Sequence, residues 1–142
     1  MWRWRAEELA EQIELEVTPE QEALPPTEEP DERLQKEKGD LYARAERSPE
    51  NAVYNAWLKV QLEAQGAVNR NGLEERSTGA SLATKVRMLA DEGLVPSLVV
   101  SLADELARLH NETLRGPVPV TEDTAIRYVD LSLRLVSYLR RA

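Results

Sequence analysis

Apolar side chains recur at three- and four-residue intervals along most of this chain, and no stretch alternates as a strand would. Trp2, Ala6, Leu9, Ala10, Ile13 and Val17 share one stripe with glutamates opposite, which predicts an amphipathic N-terminal helix within residues 1–17. So short a helix is not secure alone in water and needs a surface to dock on, in its own domain or on a partner. Residues 18–33 carry Pro19, Pro25, Pro26 and Pro30 among Glu and Thr. Proline removes backbone donors and the acidic charges repel, so this part reads as extended. The pattern lets a helix resume over 34–47, making 18–47 an acidic, Pro-rich linker with some helix.

From Ser48 the pattern strengthens. Ser48 can cap a helix, Pro49 suits its first position, and Glu50 complements its positive end. Val53, Ala56, Trp57, Val60, Ala64, Ala67 and Val68 then keep one face apolar, predicting a helix over 49–68. Residues 69–80 read as a polar loop. A second helix is expected over 81–92, closed by Gly93 in the left-handed position that ends many helices. A third opens at Pro96, runs to about 114 and stops at Gly116-Pro117. Thr121 caps the last, whose stripe is Ile126, Val129, Leu133 and Val136. Four amphipathic helices with short connections predict an all-α, up-down four-helix bundle over 48–142, preceded by the N-terminal helix and the linker.

Charge is placed unevenly. Residues 1–40 hold 13 acidic and 5 basic side chains, which is the whole net charge of −8. The helical part is therefore neutral and no obvious polyanion binder, so RNA is not the favoured partner. An acidic arm suits a basic protein partner, and Trp2 and Trp4 suit a docking anchor on it. A membrane is excluded as the arm's target, because surface-binding helices favour Lys and Arg on the polar face. No apolar run approaches the roughly 18 residues that span a bilayer. The chain has no cysteine, which excludes a disulfide framework and a thiolate metal site and fits a reducing cytoplasm. With one histidine, His110, and no tight acidic cluster beside it, no metal or other cofactor is expected.

The string Ser48-Pro-Glu-Asn-Ala-Val-Tyr-Asn-Ala-Trp-Leu-Lys-Val60 resembles the first helix of the HEPN-like helical domains, in particular one bacterial branch. Leu89-Ala-Asp-Glu-Gly-Leu94 and the capped start Val120-Thr-Glu-Asp-Thr-Ala-Ile126 are similar to later motifs of that family, in the same order. The resemblance covers about 48–141. It implies a homodimer, a setting in defence or toxin–antitoxin systems, and a metal-independent ribonuclease site carrying an Arg-Asn…His motif, shared between two subunits. There the ribose 2′-hydroxyl attacks its neighbouring phosphate, with His moving protons and Arg stabilising the charged transition state.

Here the motif is altered. His110-Asn-Glu-Thr-Leu-Arg115 keeps the Asn but exchanges the Arg and His types at the same spacing. Ala103, Asp104 and Glu105 supply no arginine ahead of His110. Gln61 stands where the family tends to have Glu after the Trp. Three readings follow. One is an interaction or regulatory module that has lost standard activity. Another is a metal-independent endoribonuclease using His110, Asn111 and Arg115 across a dimer interface. A purely structural role in a larger machine is a third.

Residue by residue, His110 is expected at the edge of the Leu106–Leu109 stripe, half-buried with one hydrogen bond. Asn111 and Arg115 share a helical face that Arg108 could join, which makes Arg108–Gly116 the expected polar interface of a dimer. Trp57 is expected in the core. Gln61, one turn later, is expected to be buried and paired with Asn111.

Overall fold

The computed structural model describes residues 32–115 and 119–142. The expectations for the N-terminal helix, for Trp2 and Trp4, for most of the linker and for the Gly116-Pro117 stop lie outside them. The described residues are all helical, with no strand: α1 Glu32–Arg47, α2 Pro49–Arg70, α3 Leu82–Asp91, α4 Leu98–Arg115 and α5 Glu122–Arg141. None of these helices is long and apolar enough to cross a membrane.

Local chemistry sets the ends. Ser48 Oγ accepts from the Asn51 amide, and Ser81 and Thr121 accept in the same way from Thr84 and Thr124. Two helices close alike. Gly93 has φ 75°, its amide donates to Ala90, and the Leu94 amide reaches back to Leu89. Asn71-Gly72-Leu73 repeats this after α2, with Leu73 buried beside Val68. In each case the glycine takes the left-handed turn and the following leucine returns to the helix it has left.

Packing centres on α2. Its buried face is Ala52, Val53, Ala56, Val60, Ala64, Ala67 and Val68, all small. Small side chains let a partner helix approach closely, and α2 against α5 is the most extensive helix pair. Tyr128, Leu135 and Leu139 of α5 are buried, and the Tyr128 hydroxyl donates to the Leu106 carbonyl of α4 at 3.0 Å. The short α3 packs on α4 and α2.

The helix allowed over 34–47 is present as α1, but it packs against both α2 and α5, so among the described residues the bundle has five helices and starts before Ser48. Only Leu41 and Ala45 of α1 are buried, which is why its apolar pattern is faint. Charge holds the rest. Arg140 of α5 donates to Glu37 of α1 at 2.7 and 2.9 Å and to Glu63 of α2 at 3.0 Å. Lys59 of α2 also donates to Glu37. The side chains of Glu37, Glu63 and Arg140 are only 11%, 14% and 13% exposed. Burial alone would raise the Glu37 pKa, but hydrogen bonds and charge from Lys59 and Arg140 outweigh it and hold the carboxyl below its ordinary value of 4.5. Further along, the Tyr42 hydroxyl of α1 donates to Asp130 of α5.

A carboxyl with a depressed folded-state pKa contributes stability above its unfolded pKa, and that contribution disappears as pH falls through the folded value. Glu37→Gln is expected to lower the unfolding free energy at pH 7 by about 2 kcal/mol, the scale of a hydrogen bond to a charged group. It should also flatten the acid limb of the stability curve below pH 4.5. Urea titrations of both proteins between pH 7 and 3 measure each effect.

Candidate functional site

The helix end with the lone histidine lies on α4. Successive residues of a helix point about 100° apart, so His110 and Asn111 cannot share a direction. His110 turns inward and is 8% exposed, more buried than the half-buried position expected. Its ring lies flat on Trp57 of α2, centroids 4.7 Å apart and planes 12° from parallel. Tyr54, one turn earlier on α2, flanks it at 6.2 Å. The single hydrogen bond expected of His110 is not made through Nε2, which is buried without a partner among the described residues. Burial in this aromatic slot pushes the His110 pKa below its ordinary value of 6.5.

Asn111 and Arg115 lie on the exposed side of α4. The structure thus separates the buried imidazole from the amide and the guanidinium within one chain. Arg108 does not join them. Its Nε donates to Glu105 Oε2 at 3.0 Å, and its other nitrogens engage Glu105 again and Glu112. Glu105 is buried, so this pairing anchors Arg108 to its own helix. Trp57 is partly buried at the rim of the core rather than inside it, because it covers His110. Gln61 is half-exposed, and no hydrogen bond joins it to Asn111 among the described residues. That expected pair fails because Asn111 faces solvent. No group of three His, Asp or Glu side chains converges to hold a metal ion among the described residues.

A different surface of α2 went unread in the sequence. Tyr54, Leu58 and Leu62 recur every fourth residue and are 48%, 39% and 74% exposed. Asn51, Asn55, Gln61, Gln65 and Asn69 flank them. Between Glu50 at its start and Arg70 at its end, the row is thus flanked by neutral amides, in a chain where 31% of residues are charged. On α4, Leu114 follows His110 by one turn and is also exposed. The signal was present as a second apolar row beside the one that ends in the core.

His110 is the only histidine, so no other histidine competes in its titration window. Its folded-state pKa is depressed, hence the unfolded chain binds the proton first and stability falls as pH drops below 6.5. His110→Phe keeps a flat ring on Trp57 and removes the unpaired nitrogen. The variant should match or exceed the parent at pH 7.5, by up to about 1–3 kcal/mol. It should also lack the parent's decline between pH 7 and 5.5. Denaturant midpoints at the two ends of that range test both statements.

Comparison with protein-family models, with curated proteins and with solved structures finds no match to this chain, so the family resemblance rests on its own motifs.

Proposed function

We propose that this chain is a HEPN-like helical module that works by binding or regulation rather than by cutting RNA. In this reading α2 to α5 correspond to the four family helices and α1 is an added one. The module acts in the cytoplasm as a homodimer, and its acidic N-terminal arm meets a basic protein partner. Defence or toxin–antitoxin systems are the setting that the resemblance implies.

The observation that carries the reading is the orientation of His110. A general base must reach the proton that it moves. An imidazole shut against Trp57, with its Nε2 buried and its basicity lowered, is poorly placed to take one from a ribose hydroxyl. A second observation agrees. Arg108, the nearest other cation on this stretch of α4, is already engaged by Glu105 and Glu112. Transition-state stabilisation needs a cation aimed at the phosphate, not one neutralised by two carboxylates of its own helix. The charge-balanced bundle adds nothing that would concentrate a polyanion.

Purified full-length protein incubated without metal on structured and single-stranded RNAs should show no cleavage beyond that of Asn111→Ala and Arg115→Ala preparations. Both substitutions are at exposed positions and should leave the fold intact. Cleavage by the parent that either variant abolishes would establish the enzyme and overturn this reading.

A further inference from the structure

We propose that the exposed apolar row of α2 is the docking site for this chain's own N-terminal segment, residues 2–17. The inference does not rest on the HEPN-like reading.

Two apolar rows match one another in spacing. The first is the row Tyr54, Leu58 and Leu62, exposed on α2. The second is the stripe of Trp2, Leu9, Ile13 and Val17, whose spacing gives one apolar side and no core of its own. A row of every fourth residue is a ridge that a second helix with three- and four-residue spacing can straddle.

Reach favours the arrangement. Arg33, at the start of α1, lies 3.7 Å from Glu63 of α2, next in sequence to Leu62. The chain therefore enters the bundle beside the second half of α2. Residues 18–31 can extend over about 45 Å, and α2 is about 33 Å long, so the segment reaches any part of the row.

Charge is compatible with the same surface. The segment's polar side carries Glu7, Glu8, Glu11 and Glu14. The exposed faces of α1 and α5 carry both signs, Glu32, Asp40, Glu122 and Asp123 beside Arg33, Lys36 and Arg127. The row on α2 is flanked by neutral amides, with the carboxylate of Glu50 at its N-terminal end. Docked by its apolar side, the segment would present its glutamates outward, where a basic partner could read them.

Size decides between this occupant and a second copy of the chain. A stable interface takes about 20–30 residues a side. The α2 row with its flanking amides supplies far fewer. A tethered segment needs much less, because a short flexible linker gives an effective concentration in the millimolar range.

The chain has no cysteine, so introduced pairs report cleanly. Full-length protein carrying Leu9→Cys with Leu58→Cys joins the centres of the two surfaces. Leu9→Cys with Ser101→Cys, at an exposed position on α4, measures random collision of the tether. Under mild oxidation in dilute solution, the first pair should close an intramolecular disulfide about tenfold faster than the second. Leu62→Cys replaces Leu58→Cys if the latter does not fold. Equal rates for the two pairs would mean a free tail and overturn the proposal. Covalent dimers of the Leu58→Cys chain alone, formed in place of the intramolecular bond, would assign the face to a second copy and overturn it too.

Discussion

The buried face of α2 holds nothing larger than valine, and this decides how near α5 can come. Two helices packed through alanine and valine leave little room for error, since interiors are filled like crystals. The larger side chains that seal the contact, Tyr128, Leu135 and Leu139, come from α5. The chain has no phenylalanine at all, so Tyr128 supplies aromatic bulk at the centre. That ring brings a hydroxyl which must be satisfied, and the Leu106 carbonyl of α4 accepts it. The close α2–α5 contact and the position of α4 are thus linked through one side chain.

Around that contact, polarity is distributed in two opposite ways. On one flank, Glu37, Lys59, Glu63 and Arg140 join three helices through charged hydrogen bonds. Half-buried ions of this kind discriminate strongly against misplacement, because a carboxylate that loses its cation stays partly shielded from water. On the other flank, from Tyr54 to Leu62, α2 carries only apolar and neutral polar side chains. The same helix therefore has a side that fixes its neighbours by charge and a side whose central turns impose little electrostatic demand.

What could be read from the residues was local. Ser48-Pro49-Glu50, Gly93 and Thr121 signal helix ends through backbone chemistry close in sequence, and the structure places helix ends at each. A helix over 34–47 was legible but its place in the bundle was not, because two buried apolar residues make a weak stripe and its main support comes from partners on α2 and α5. Such pairs carry no periodic signal. At the candidate site, the inward edge of α4 was legible from Leu106 and Leu109. The rotation that shuts His110 against Trp57 while exposing Asn111 was not, because it depends on how α4 lies across α2. The Gln61–Asn111 pair was inferred from family pattern and fails for the same reason.

The bond between Glu37 and Arg140 joins residues 103 positions apart. It has a consequence for the order of assembly. The corner between α1 and α2 is a single residue, Ser48, so that hairpin encloses almost no loop. The α1–α5 contact encloses nearly the whole described domain, and its loop-closure entropy must be met before its hydrogen bonds contribute. Local hairpin formation therefore leads, and the clasp between the first and last described helices is among the last contacts to form. Until it does, Glu37 has Lys59 and Glu63 has Arg33 as cation partners within the α1–α2 hairpin, and Arg140 of the final helix completes the network.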